Sequence, residues 1–303
     1  MRHLLTIHDL TVAQTAELLD LAADVKAHPI RYADSLTGKT LAMIFQKPST
    51  RTRVSFEVGM FQLGGSALFL SSNDIQLHRG ETISDTAKVL SRYVDAIMIR
   101  TYAHQDVVDL ARFASVPVIN GLDDLVHPCQ ILSDLLTIRE HLGGPAGRRI
   151  AYIGDGNNVA HSLLYGGAKA GCHVTIASPP AYQVDPDVLA AAQADAAETG
   201  AKLQSLTDPL QAVRDADVVY TDVWASMGQE AQHTERLKAF GGFQVDAKLM
   251  SAANSRAIFM HCLPAHRGEE VSAEVIDGPQ SVVFDQAENR MHMQKAILIK
   301  ALT

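Results

Sequence analysis

Positions 49 to 53, Ser49, Thr50, Arg51, Thr52 and Arg53, crowd hydroxyls and two guanidinium groups into the run "PSTRTR". Pro48 stiffens the entry, and "VSFEVGMFQLGG" behind it reads as an amphipathic helix. That places an N-cap at Ser49 or Thr50, with the next backbone N–H groups pointing outward. Such a helix start attracts an anion through its dipole and its unpaired donors. Arg51 and Arg53 add planar donor forks suited to phosphate or carboxylate. The plain alternative is an ordinary capped helix with solvated arginines.

Other chemically capable residues recur at the ends of apolar runs. "HPCQ" offers the His127 imidazole and the Gln130 amide at a strand-to-helix turn, where both can donate to a carbonyl oxygen. Arg100 closes "AIMIR" and must find a buried partner, a cleft or solvent. "RIAYIGDGNN" imitates a dinucleotide-binding turn. The third glycine is missing, with Val159 and Ala160 in its neighbourhood, and the next strand ends "TIASPP" without the acid that would hold a ribose. Asp155, Asn157 and Asn158 make instead a polar turn, fit to receive an amino acid's charged groups or simply to cap a helix. Asp222 ends "DVVYTD" ahead of the small-residue loop "ASMG" and could hold an ammonium group. Cys262, in "HCLP", brings a thiol to another strand end, or is a small apolar residue.

The elements that must position these groups alternate. Apolar runs at 40–46, 67–70, 96–100 and 116–120 predict strands, with a helix over 82–93 and another from about Pro128. "GGPAGRR" (143–149) then loosens the chain, and a second series follows at 149–155, 173–178, 217–222, 257–262 and 281–285. A closing helix is expected over about 289–301. The expected fold class is α/β: two domains, each a mostly parallel sheet flanked by helices, with the site in the cleft between them. The expected boundaries are 1–142, joined by the C-terminal helix at about 287–303, and 143–286.

Composition narrows the partners. The chain has 303 residues, 47% hydrophobic and 20% charged, with a formal net charge of −8. That acidity gives no footprint for nucleic acid or an anionic membrane, so the arginines are a local site for a small ligand. Three cysteines, Cys129, Cys172 and Cys262, form neither a CxxC nor a metal-ligand spacing. No apolar run approaches a membrane span. The expectation is a cytoplasmic protein.

Taken together and in this order, "STRTR", "HPCQ", "GDGNN", "DVWASMG" and "HCLP" resemble the ornithine carbamoyltransferases over essentially the whole chain. The putrescine and N-acetylornithine relatives depart at "SMG" and "HCLP"; this sequence does not. Gln46 is a departure, standing where many relatives have an acid. The resemblance implies that Ser49, Thr50, Arg51 and Thr52 grip the phosphate of carbamoyl phosphate, with Arg53 matching the motif but less tied to the ligand. It implies that Arg100, His127 and Gln130 reach the carbamoyl end, that Arg290 returns from the last helix, and that Cys262 and Leu263 line the carbonyl side. Asn158, Asp222, Ser226 and Met227 match ornithine-binding positions. Gln76 matches a residue lent to a neighbouring subunit, implying a homotrimer or a multiple of it. No cofactor and no metal are implied. The chemistry implied is attack of the ornithine side-chain amine on the carbamoyl carbon, with Arg100, His127, Asp222 and Cys262 as the catalytic set, in arginine biosynthesis. The rival readings are a carbamoyltransferase for a related amine and a non-catalytic binding protein on the same fold.

Overall fold

The computed structural model describes residues 1–71, 80–225 and 233–303. The chain divides into two units, Met1–Leu136 with Asn289–Thr303, and Thr137–Glu288.

In the first unit the strands are β1 (Thr40–Phe45), β2 (Ser66–Ser71), β3 (Ala96–Arg100) and β4 (Val118–Leu122). The helices are α1 (Val12–Ala27), α2 (Thr50–Gln62), α3 (Ile83–Leu90), α4 (His104–Phe113) and the start of α5 (Pro128–Leu142). The sheet order is β2-β1-β3-β4, parallel throughout. β1, β3 and β4 are almost wholly buried, which is why they read as short continuous apolar runs rather than as alternating ones. Local chemistry sets the helix starts. The Thr11 hydroxyl accepts from Gln14 N at 3.1 Å while Gln14 Oε1 accepts from Thr11 N at 3.0 Å, a reciprocal cap for α1.

The second unit contains β5 (Arg149–Ile153), β6 (His173–Ala177), β7 (Leu203–Leu206), β8 (Val218–Thr221) and β9 (Ile258–His261). Its helices are α6 (Asn158–Ala170), α7 (Pro186–Asp195), α8 (Pro209–Val213), α9 (His233–Ala239), α10 (Ala247–Ser251) and α11 (Ala273–Ile276). The last helix, α12 (Val283–Leu302), begins in this unit and ends in the first. The parallel order is β7-β6-β5-β8-β9, and Trp224, Phe240, Phe243 and Phe259 anchor one of its cores. Gly171 stops α6 in the left-handed conformation, φ 74°, where a Cβ is disfavoured.

Two expectations change. The run at 281–285 is not a strand: Ser281 makes one isolated bridge to Phe259, and α12 starts at Val283. The β-branched pair Val282 and Val283 is buried, but burial of a short apolar run does not distinguish a strand from the first turn of a helix. β7 was not expected, because "LQSL" mixes polar residues into an edge strand that is only partly covered.

Each sheet turns direction once. β1 sends the chain to β2 on one side and later to β3 on the other, and β5 does the same with β6 and β8. Ligands in open parallel sheets bind beyond the carboxyl ends of strands at such a reversal. Ser49 to Arg53 and Arg100 follow β1 and β3, while the 154–158 turn and Asp222 follow β5 and β8.

The second glycine of "GDG" has a structural use of its own. A Cβ on Gly156 would lie 2.4 Å from the Gln183 carbonyl carbon and 2.4 Å from Val184 N, so it is the protein's own backbone that approaches here. Because backbone cannot swing aside as a side chain can, Gly156→Ala is expected to destabilise the chain by about 1–3 kcal/mol, the usual scale of overpacking. Thermal denaturation checks it; an unchanged midpoint would contradict the close approach.

Candidate active site

In the first unit the site grows from the start of α2. Ser49 is the N-cap, with extended φ −164°, and its hydroxyl accepts from Thr52 N at 3.2 Å. Ser49 Oγ also donates to Thr52 Oγ1 at 3.1 Å, and Arg290 Nη2 donates to the same oxygen at 2.8 Å. Thus a guanidinium from α12 is fastened to the cap of α2. Thr52, Arg100, His127, Gln130 and Arg290 are all buried. Thr50 is exposed and Arg51 half-buried.

Arg100 ends β3 where the register to β4 shifts, and its carbonyl accepts from Gln46 N at 2.8 Å. His127 is fixed by the turn before it. The buried Asp123 carboxylate accepts from Leu125 N and Val126 N, each at 2.8 Å, from Asn120 Nδ2 at 2.8 Å, and pairs with His104 Nδ1 at 2.7 Å. Pro128 then opens α5, its missing N–H being one of the donors that a helix start leaves unpaired. Gln130 Nε2 donates to Asp134 Oδ1 at 2.8 Å. Its Oε1 is buried with no hydrogen-bond partner among the described residues, an acceptor suited to an N–H of a ligand.

Electrostatics decides the state of the imidazole. Burial, then the positive charges of Arg290, Arg100 and Arg51, push the His127 pKa well below its ordinary value of 6.5. The ring is therefore neutral at neutral pH and keeps one N–H as a hydrogen-bond donor beside three guanidinium groups. Arg53 is diverted. Its Nε lies 3.3 Å from Glu57 Oε2 and its guanidinium carbon 3.8 Å from the centre of the Phe69 ring.

In the second unit the 154–158 turn and the ends of β8 and β9 meet around Asp222. Asn157 caps α6, its Oδ1 accepting from Val159 N at 2.9 Å, and its Nδ2 donates to Asp222 Oδ2 at 2.9 Å. The Cys262 thiol donates to Asp222 Oδ1 at 3.0 Å, so both carboxylate oxygens are held. Burial, and then the charges of Asp222, Asp155 and Cys262, push the Tyr152 phenol well above its ordinary pKa, and its OH donates to Asn157 Oδ1 at 3.2 Å. Leu263 adopts φ 58°, a region costly to a side chain with a Cβ, and its N–H donates to His261 Nδ1 at 2.8 Å. Since that nitrogen accepts, the proton of the neutral ring is on Nε2, which faces the buried Glu270 Oε1 at 3.1 Å.

Ser49, Thr52, Arg51, Arg100, His127 and Arg290 thus form one set, and Asp222 and Cys262 another, with Leu263 next in the chain. Asn158 stands at the first turn of α6, but it is Asn157 whose amide reaches Asp222. Gln76, Ser226 and Met227 lie outside the described residues. Sequence reasoning missed Arg236. Its Nη1 donates to Asp155 Oδ2 at 2.7 Å and to Trp224 O at 2.6 Å. Even so, burial outweighs the arginine and leaves the Asp155 pKa raised. No local signal marks an arginine on a short helix 81 residues from its partner. The hinting residue for His261 was its place beside Cys262 in "HCLP".

Fold and side chains together define a two-unit α/β protein with a cationic, helix-start set on one parallel sheet and a carboxylate–thiol set on the other. A family model described as the carbamoyl-P binding domain of aspartate/ornithine carbamoyltransferase matches residues 2–140, and one described as its Asp/Orn binding domain matches residues 146–301. The chain belongs to the aspartate/ornithine carbamoyltransferase family. It is 60% identical over 300 residues to an ornithine carbamoyltransferase of Symbiobacterium thermophilum, covering 98% of this chain and 96% of that one. A Pyrococcus furiosus relative named as an anabolic ornithine carbamoyltransferase is 58% identical over 302 residues, 98% of this chain and 95% of the relative. The solved ornithine carbamoyltransferase from Pyrococcus furiosus superimposes with a TM-score of 0.95 at 57% identity, covering 98% of this chain and 96% of that one.

The neutral state of His127 has a measurable consequence. With its folded pKa depressed, the group contributes stability that is present above pH 6.5 and is lost as pH falls from there toward the folded value. Ring nitrogen NMR, with His127→Asn for assignment, is expected to show this imidazole still neutral at a pH where exposed histidines are protonated. A midpoint near 6.5 would contradict the burial and charge argument.

Proposed function

We propose that the protein transfers the carbamoyl group of carbamoyl phosphate to the side-chain amine of L-ornithine, giving L-citrulline and phosphate. The observation that carries this reading is the gathering of Arg51, Arg100 and Arg290 around a neutral His127 at the start of α2. Such a set suits a dianion whose leaving end is phosphate and whose reacting end is a carbonyl. In this reading Ser49, Thr50, Arg51 and Thr52, with the α2 N–H groups, hold the phosphate and stabilise it as it departs. Arg100, the neutral His127 and Thr52 donate to the carbonyl oxygen as negative charge develops on it. Arg290 supports Thr52 from behind, and the Gln130 carbonyl oxygen accepts from the carbamoyl amide.

The amine must be neutral to attack, whereas a free alkylammonium loses its proton only near pH ~10. Asp222, already held by Asn157 and Cys262, orients that amine, and Leu263 shapes the carbonyl side. The reaction needs no covalent intermediate: the amine nitrogen bonds to the carbamoyl carbon, the carbon–oxygen bond to phosphate breaks, and the amine releases one proton. Positioning and fixed charge carry the rate.

We assign residues 1–142 with the C-terminal helix at about 287–303 to carbamoyl phosphate, and 143–286 to ornithine through Asn158, Asp222, Ser226 and Met227. A homotrimer in the cytoplasm, with Gln76 completing a neighbouring subunit's site, fits the motif match. No described helix is long and apolar enough to cross a membrane. The anabolic name of the Pyrococcus furiosus relative favours arginine biosynthesis.

The direct test offers carbamoyl phosphate with ornithine, putrescine, N-acetylornithine or aspartate, and detects each carbamoylated product by mass. Citrulline from ornithine alone is expected. Product from another amine would overturn the amino-acid half, and no product from any would sink the assignment. Arg51→Ala is expected to lower kcat/KM for carbamoyl phosphate by about 100-fold or more, the scale of losing one preorganised donor, with the circular dichroism unchanged. Ordinary saturation by carbamoyl phosphate in that variant would remove Arg51 from the phosphate site.

A further inference from the structure

Just beyond the Cys262 and Leu263 turn, the chain folds "HRGEE" into a compact loop whose side chains the transfer chemistry leaves unused. Glu269 N donates to His266 O at 3.0 Å, and Gly268 N to Val271 O at 2.8 Å. Three potential ligand atoms, one each from His266, Glu269 and Glu270, lie within 4.8 Å of one another. His266 Nδ1 is 3.8 Å from Glu269 Oε2 and 3.9 Å from Glu270 Oε2. A tetrahedral ion bound at ~2.1 Å holds its ligand atoms about 3.4 Å apart, so small side-chain adjustments would close the set on one.

Glu270 supplies an independent observation. The residue is fully buried, and its Oε1 accepts from His266 N at 2.6 Å and faces His261 Nε2 at 3.1 Å. Its Oε2, also buried, has no hydrogen-bond partner among the described residues. A buried carboxylate oxygen left this way is costly unless something positive meets it. Oε2 lies 3.9 Å from His266 Nδ1, one of the potential ligand atoms. Glu269 is held from outside by His233 Nε2 at 3.0 Å, the kind of outer partner that fixes a metal-binding group.

We propose that His266, Glu269 and Glu270 bind a divalent transition-metal ion, zinc above others, with water completing the coordination. The imidazole disfavours calcium and magnesium, and the carboxylates disfavour soft monovalent copper. Two carboxylates match the ion's two charges. A second group with ligand spacing, Asp222, His261 and Cys262, does not compete well, because both His261 nitrogens are engaged by Leu263 N and Glu270. The bound ion would brace the loop that carries Cys262 and Leu263 on its upstream side.

The test uses Co2+ as a spectroscopic probe on the full chain carrying Cys262→Ser, which removes the only thiol in either cluster. One equivalent per chain is expected, with ligand-field absorption and no thiolate-to-cobalt band. His266 is half-exposed and Glu269 is partly so; His266→Ala and Glu269→Gln in that background should each weaken Co2+ binding about 10-fold or more with circular dichroism unchanged. Absence of Co2+ binding in the Cys262→Ser chain, or binding that survives both substitutions, overturns the proposal.

Discussion

Placing three guanidinium groups beside one imidazole inside a folded unit is the constraint on which the rest depends. Like charges at close range repel, and the low-dielectric surroundings strengthen that repulsion. The protein answers by keeping His127 uncharged and by starting α2 there, with Thr52 of its first turn bonded to one of the arginines. What results is a positive field built into the folded unit, the preorganisation on which the proposed transfer relies. Asp123 belongs to the same design: its carboxylate ties down the turn before His127 by accepting from Leu125 N and Val126 N.

The second unit solves the opposite problem. Its Asp222 carboxylate lies beside Tyr152 and Asp155, whose pKa values are raised by burial first and by the Asp222 charge as well, and it is steadied by neutral donors, an amide and a thiol. Neutral donors hold a carboxylate in place without cancelling its charge. That is what the proposed transfer asks of the group that orients the ornithine amine.

Much of this was legible because parallel strands buried on both faces leave short apolar runs, and the residues that break each run at its carboxyl end stand where open parallel sheets bind their ligands. Ser49, Arg100, His127, Asp222 and Cys262 were all found in that way. Asn157 and Asn158 read alike in the sequence, and only the structure shows that the Asn157 amide donates to Asp222. Arg236 and the bond from Arg290 to Thr52 join residues far apart in the chain, and no local pattern records such a pairing. The misread strand at 281–285 has the same root: β-branched residues favour a strand locally, but one bridge to Phe259 and the demands of a long helix decide the outcome.

The first unit is assembled from two separate stretches of the chain, 1–136 and 289–303, and Arg290 sits in the short second piece. On the ribosome its sheet can be laid down early, yet the arginine that locks Thr52 emerges only after the whole second unit has been made. Domains ordinarily fold as they are made, amino terminus first. Here the bond from Arg290 to Thr52 must wait for the second unit, so a nascent chain carries the first sheet and the start of α2 before it carries that cation.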